Sequence, residues 1–153
     1  MEIQNIDHSN SKFKFFDVTA DVGYRAYGHT LSEAFVNAAL AMFEVITDTS
    51  RVRPRITKYL KVESEDEQAL LYDWLSELLF VHDTEYLVFS DFKVKIEMKI
   101  EKDEKIYFLE ASASGEEFDH DVHESRDEVK AVTYHMMDIK NEKGYMVQVI
   151  LDI

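Results

Sequence analysis

Residues 91–101 place an apolar side chain at every second position and a charged side chain at each position between. Because successive side chains of a strand point to opposite faces, this period predicts a β-strand with one buried and one solvated face. A return strand is expected over residues 106–114, after a polar turn. The small residues Ser112, Ser114 and Gly115 predict a bulge or a close approach of two backbones near its end.

Two other stretches have the period of amphipathic helices, with apolar residues at i, i+3, i+4 and i+7. Thr30-Leu31-Ser32-Glu33 matches a capping box and predicts the start of the first helix. A second capping box is predicted at Ser64-Glu65-Asp66-Glu67, ahead of a helix in which Trp74 is the expected core anchor. The remaining strands are expected at residues 12–17, 24–27 and 56–63 and in a C-terminal hairpin of 129–140 and 145–153.

Two helices and about seven strands, mostly joined as hairpins, indicate an α+β fold. The simplest arrangement is a two-layer one, with two main helices packed on a largely antiparallel β-sheet. The 153 residues fit one domain, spanning residues 1–153, that is long enough to bury a core.

Acidic residues outnumber basic ones by 31 to 17, and the formal net charge is −14. This charge argues against direct, high-affinity nucleic-acid binding, which depends on Lys and Arg neutralising phosphates, and it suits cations or a basic partner. The absence of cysteine excludes disulfides, thiolate metal sites and a Cys nucleophile. With no signal peptide or transmembrane run in the sequence, a cytoplasmic location is expected.

Carboxylates occur at two places where the surrounding sequence is apolar. Asp17 and Asp21 bound a short predicted turn, and Asp152 is next to Ile153 with its chain-end carboxylate. Each taken alone is typical of an ordinary turn or a solvated strand end. If the three aspartates met at one end of a sheet, they would repel one another unless a cation lay among them, and oxygen ligands suit Ca²⁺, Mg²⁺ or Mn²⁺.

Lys130, His120, His123 and His135 are the other residues with possible chemistry. Lys130 is expected at a strand start, where it either extends into solvent or contacts a phosphate or a partner's carboxylate. His120 and His123 lie in an acidic stretch, residues 115–128, for which a solvated loop is favoured over a zinc site. His135 is expected to be partly buried rather than a catalytic base, and no spacing supports a Ser/His/Asp triad.

Several ordered motifs, covering almost the whole chain, resemble the archease family of small proteins that assist the RtcB-type tRNA-splicing RNA ligase. They are Asp17-x-Thr19-Ala20-Asp21-Val22-Gly23 followed by Gly28-x-Thr30-Leu31-x-Glu33-Ala34-Phe35; Leu70-Leu71 with Trp74-Leu75-x-Glu77-Leu78-Leu79; Gly115-Glu116-x-Phe118; Glu128-Val129-Lys130-Ala131-Val132-Thr133-Tyr134-His135; and the ending Asp152-Ile153. One departure is Val18, since the family's opening motif commonly has His there.

The resemblance implies a protein cofactor of tRNA splicing rather than an enzyme. It implies that the protein helps the ligase to become guanylylated from GTP and to turn over repeatedly, and that it carries a divalent metal such as calcium. By position, Asp21 and Asp152, with Asp17 and Ile153 beside them, are the implied metal-site candidates. Lys130 is the implied contact to the ligase or its nucleotide. If the family's usual His binds the metal or supports a ligand, Val18 implies a weaker or differently built site.

Two other functions compete with that of a ligase activator. One is a metal-dependent enzyme acting on a phosphate ester, for which the carboxylates and Lys130 would be the minimal set of functional groups. The other is a passive domain whose acidic surface binds a basic protein. The sequence lacks a convincing general base or nucleophile beside the acids, which counts against the enzyme.

Overall fold

The computed structural model describes residues 11–153 of the chain. Its elements, in chain order, are β1 (Phe13–Val18), β2 (Asp21–Gly28), α1 (Leu31–Ile46), a 3₁₀ turn (Thr49–Arg51), β3 (Ile56–Ser64), α2 (Glu67–Glu85), β4 (Leu87–Glu101), β5 (Glu104–Glu117), β6 (Ala131–Asn141) and β7 (Tyr145–Asp152). Neither helix is long and apolar enough to span a membrane, within this part of the chain.

The strands form two antiparallel sheets. One has four strands in the order β1-β2-β7-β6, and the other has three in the order β3-β5-β4. Helix α1 packs against β2, β7 and β4, and α2 packs against β3, β5, β4 and β6, so each helix contacts both sheets. The α+β class with two main helices is therefore confirmed, and the predicted antiparallel sheet is divided in two.

The core contains two large polar-tipped side chains, each completely buried. The Trp74 indole N–H donates to the Phe35 carbonyl at 3.1 Å, and the Tyr24 hydroxyl donates to the Ala38 carbonyl at 2.9 Å. Both acceptors belong to α1, so these bonds join α1 to α2 and to β2 while satisfying buried donors. The prediction that Trp74 is a core anchor is confirmed.

The two helix starts differ in how well the sequence predicted them. At α1 the predicted start is confirmed, because Thr30 Oγ1 accepts the Glu33 N–H at 3.1 Å, although the Glu33 carboxylate accepts the His29 N–H rather than that of Thr30. At α2 the predicted box is wrong, since Asp66 is the N-cap and its carboxylate accepts the Ala69 N–H at 2.7 Å. Ser64 cannot serve as the cap because it still pairs with Tyr107 as the last residue of β3.

Gly115 of β5 lies against the backbone of Val88 and Phe89 in β4. A Cβ atom at this position would be 1.8 Å from the Val88 carbonyl oxygen, so no other residue fits without a backbone shift. The pairing of β4 with β5 shifts by one residue between Phe89 and Asp91, directly opposite this glycine. The predicted bulge or close approach is confirmed.

Candidate functional site

Asp21 and Asp152 face each other across two neighbouring strands. They are register partners between β2 and β7, and Asp152 is in turn the partner of Ala131 in β6. Directly opposed residues of an antiparallel pair point to the same face, with Cβ atoms roughly 4.5–5.5 Å apart. Both aspartates are half-buried. The fold therefore places these two carboxyl groups side by side at one end of the four-stranded sheet.

The predicted acidic turn is shorter than the sequence indicated. β1 continues to Val18 and β2 begins at Asp21, so the turn consists of Thr19 and Ala20, with Ala20 in the left-handed region at φ 64°. As a result, Asp21 is held in a strand ladder rather than in a loop, and its position follows from the register with β7.

Asp17 lies in β1, one residue pair away from the pair of Val18 with Asp21. It pairs with Val22, whereas Asp21 pairs with Val18, so the side chains of Asp17 and Asp21 start from opposite faces. The two still line a common cavity of ≈ 530 Å³ at the sheet end, and Asp152 does not contribute to it. Within residues 11–153, no group of three or more His, Cys, Asp or Glu side chains is arranged to hold a metal ion.

The same cavity is lined by three residues that the sequence did not single out: Glu44, Arg126 and Asp127. Arg126 donates to the carbonyl and the carboxylate of Glu44 at 2.8 and 2.9 Å. The sequence feature that could have indicated these residues is the single arginine, Arg126, in the acidic stretch of residues 115–128.

The backbone of this loop also completes the end of α1. The N–H groups of Arg126 and Asp127 donate to the carbonyls of Ile46 and Val45, each at 3.1 Å. These are carbonyls of the last helical turn, which have no partner within a helix. The loop wall of the cavity is therefore anchored to α1.

Lys130 lies one residue before β6 rather than within it. Its backbone N–H donates to the Asp152 carbonyl at 2.7 Å, which connects it to the end of β7. Its side chain is exposed and forms no ion pair with the part of the chain that the structure describes. The backbone of Lys130 is therefore fixed beside Asp152, and its exposed side chain is open to an external anionic group.

His123 is only 3% exposed, so the expectation of a solvated loop is wrong at this residue. Its Nδ1 accepts the Asp119 N–H at 2.9 Å, and the hydrogen-bond network therefore assigns the proton to Nε2, which donates to Glu116 at 2.9 Å. Both ring nitrogens are occupied, so His123 has no free lone pair for a metal or a substrate proton. His120 is exposed, and His135 is exposed rather than partly buried as expected.

Glu116 accepts hydrogen bonds from His123 and from the Arg53 N–H, the latter at 2.8 Å. Burial raises the pKa of Glu116, but these hydrogen bonds and the positive charge of Arg55 outweigh burial, and the net pKa lies below its ordinary value. Glu116 is therefore an ionised anchor for the loop that follows β5.

Comparison with known proteins gives a consistent family assignment. Residues 13–153 match the model of the Archease protein family (MTH1598/TM1083). The chain is 58% identical to Protein archease of Methanothermobacter thermautotrophicus over 142 residues, which cover 92% of this chain and 98% of the relative. It is 46% identical to Protein archease of Pyrococcus furiosus, covering 93% of this chain and 99% of the relative.

A solved structure has the same fold. The solution structure of Methanobacterium thermoautotrophicum protein 1598 superposes with a TM-score of 0.74 at 51% identity, covering 93% of this chain and 99% of that one. The family model, the relatives and the structure each span nearly the whole chain, and the chain therefore belongs to the Archease protein family.

Proposed function

We propose that this protein activates an RtcB-type tRNA-splicing RNA ligase in the cytoplasm, promoting guanylylation of the ligase and repeated turnover. The observation that carries the proposal is the pairing of Asp21 with Asp152, with the backbone of Lys130 bonded to the Asp152 carbonyl. These are the positions at which the family resemblance implies a metal site and a partner contact. The carboxylate pair would hold a divalent cation, and Lys130 would contact the ligase or its nucleotide.

The donor set near the pair fits a particular kind of cation site. Two carboxylates on one face suit Mg²⁺ or Mn²⁺, since Mg²⁺ usually keeps several waters and binds proteins through one or two carboxylates. Ca²⁺ takes six to eight oxygens, so it would need more water or groups from the partner. The hydrocarbon side chain of Ile153 packs against the core and has no donor atom, so Ile153 could bind a cation only through its main-chain oxygens. Such a cation would neutralise the carboxylates and leave positions open for an oxygen ligand of the partner.

A role as a protein cofactor is favoured over an enzyme acting alone. The buried histidine, which is the natural candidate for a general base, has both nitrogens engaged by Asp119 and Glu116. The groups at the sheet end are carboxylates and one lysine, which can bind and orient ions but do not provide a nucleophile with its base.

The test is stimulation of a purified RtcB-type ligase by wild type and by Lys130→Ala. Lys130 is exposed, so its replacement should change stability by no more than about 0.5 kcal/mol. If its amine contacts a phosphate or carboxylate in the complex, the substitution should remove about 1–3 kcal/mol of that interaction. Lys130→Ala is therefore expected to stay folded and to lose most of its stimulation of ligase guanylylation, measured at constant ionic strength.

Lys93→Ala is the matched control, because Lys93 is an exposed lysine of β4. A folded Lys130→Ala variant that stimulates as well as wild type would show that Lys130 is not a contact. If wild type itself fails to stimulate the ligase, the activator role is wrong. Turnover of RNA phosphate esters by the protein without ligase would favour the metal-dependent enzyme instead.

A further inference from the structure

Tyr72 of α2 and Tyr134 of β6 form a parallel aromatic stack on the surface. Their ring centroids are 4.2 Å apart and the rings are inclined by 6°. Tyr72 is half-buried, whereas Tyr134 is 53% exposed. The stack thus holds the Tyr134 ring in a fixed orientation while leaving much of it open to solvent.

The backbone around Tyr134 is irregular in a way that exposes more apolar surface. β6 is an edge strand, and its register with β7 shifts between Thr133 and Asp138. Met136, within the shifted segment, has a left-handed φ of 55° and is 51% exposed. Its carbonyl accepts a hydrogen bond from Gln148 at 2.8 Å, which holds the irregular backbone in place. Edge strands are usually protected by charged side chains, and here the bulge presents Tyr134 and Met136 instead.

Acidic residues lie near this stack in the sequence, since Asp73 follows Tyr72 in α2 and Glu65 and Asp66 directly precede the helix. Burial raises the pKa of the Tyr134 hydroxyl, and the nearby negative charges of Asp73, Asp66 and Glu65 raise it further. Asp73 is oriented by a 2.7 Å hydrogen bond from Ser64, and Asp66 by the Ala69 N–H. None of these three acids forms an ion pair with a Lys, Arg or His of residues 11–153. No ion pair within residues 11–153 therefore takes up the negative charge of these three acids.

We propose that the tyrosine patch, defined as Tyr72, Tyr134 and Met136, docks an arginine-bearing segment of a protein partner. A guanidinium group can stack on an aromatic face and at the same time donate hydrogen bonds to a carboxylate, so it matches a patch that offers both. Met136 adds adaptable apolar contact area.

Charge argues against the other possible occupants of the patch. Nucleic acid and anionic lipid would bring phosphates against Glu65, Asp66 and Asp73. A second copy of this chain, with its net charge of −14, would oppose acids with acids. The inference does not depend on the proposed ligase activation or on a cation at Asp21 and Asp152.

The test uses a short peptide with two arginines, and the same peptide with citrulline in place of arginine, titrated into the isotope-labelled protein while amide chemical shifts are recorded. Saturable shifts centred on the patch are expected with the arginine peptide and not with the citrulline peptide. Tyr134→Ala and Asp73→Asn should each weaken binding at least fivefold, and Tyr134→Phe should retain it.

Two variants on the outer face of the three-stranded sheet serve as controls. Tyr59→Ala removes a tyrosine that is 84% exposed, and Glu110→Gln removes one exposed negative charge, as Asp73→Asn does in the patch. Both should bind the arginine peptide as wild type does. If melting shows that Tyr134→Ala is unfolded, the comparison of Asp73→Asn with Glu110→Gln decides.

Four outcomes would overturn the proposal. They are no saturable binding, shifts spread evenly over the acidic surface, equal binding of the citrulline peptide, and equal weakening by the patch and control variants. Self-association that Tyr134→Ala abolishes would assign the patch to a second copy of the chain instead. Failure of ligase activation with intact peptide binding would refute the proposed function and leave the patch standing.

Discussion

At the scale of single residues, His123 shows how a loop histidine becomes a structural element. His123 lies in a polar stretch, yet its side chain is almost fully buried. The centroid of the Phe118 ring is 5.6 Å from the centroid of the His123 ring. A buried imidazole is costly unless both nitrogens have partners, and Asp119 and Glu116 supply them. The loop after β5 is therefore anchored by His123 at the point where it leaves the sheet.

Glu116→Gln is expected to change how stability depends on pH. The pKa of Glu116 is lowered in the folded protein from its ordinary value of 4.5. A carboxyl group whose pKa is lowered by folding stabilises the folded state at pH values above its unfolded pKa. That stabilisation is lost as the pH falls through the folded pKa. In urea denaturation, wild type should be the more stable protein at neutral pH, and the gap should narrow at pH values below 4.5. Glu117→Gln, an exposed neighbour, is the control; a constant gap would contradict the prediction.

The pairing of Asp21 with Asp152 leads to a second prediction at this scale. Added Mg²⁺ or Mn²⁺ should raise the melting temperature of wild type, because binding to the folded state alone stabilises it by about 2.7 kcal/mol at 100 times Kd. Asp21→Asn and Asp152→Asn should lose this response, and without metal each should melt at or above wild type because repulsion is relieved.

Asp17→Asn should keep more of the metal response than the paired variants do, because Asp17 starts from the opposite face of the sheet. Asp103→Asn, at the exposed tip between β4 and β5, is the control with the same charge change. A metal response that Asp21→Asn leaves intact would remove Asp21 from the site.

At the scale of elements, the start of α2 depends on one carboxylate. Asp66 accepts the Ala69 N–H, and Ser64, two residues earlier, is instead bonded to Asp73. Asp66→Ala should therefore lower the free energy of unfolding by about 1 kcal/mol, as loss of an N-cap does. Glu65→Ala, an exposed neighbour with the same charge, should stay within about 0.5 kcal/mol of wild type in denaturant titrations. Equal effects of the two substitutions would show that charge, rather than capping, matters here.

At the scale of the whole molecule, the segment from residue 118 to 130 connects the three-stranded sheet to the four-stranded one. It is fastened to α1 by the Arg126 contacts to Glu44 and by the Thr47 hydroxyl, which donates to the Glu124 carbonyl at 2.7 Å. These bonds hold the crossing segment against α1, which itself contacts both sheets.

Arg126→Ala is expected to destabilise the protein by about 1–2 kcal/mol, the lower part of the range for hydrogen bonds to charged groups. The lower part is expected because the Arg126 side chain is 33% exposed. Arg126→Lys should recover part of the loss, since it keeps the charge but not the fork of donors. Arg53→Ala is the control, because the exposed Arg53 contributes its backbone N–H to Glu116. Equal stability of wild type and Arg126→Ala in urea would show that the backbone bonds alone hold the segment.

Local periodicity accounts for what the sequence predicts well. The alternation of residues 91–101, the helix start at Thr30 and the small residues up to Gly115 involve neighbours along the chain, and all three predictions are confirmed. The α+β class follows from the same signals, since it depends on the number and type of elements. The misplaced N-cap of α2 shows the limit, because the pairing of Ser64 with Tyr107 competes with the local capping signal.

Long-range pairing decides the rest. Asp21 and Asp152 become neighbours only because β7 inserts between β2 and β6, and Asp17 is separated from them by one step of register. The stack of Tyr72 on Tyr134 and the anchoring of Arg126 to Glu44 likewise join residues far apart in the sequence. A strand's own period specifies which residues share a face but not which strand lies beside it, because that depends on contacts between residues far apart in the sequence.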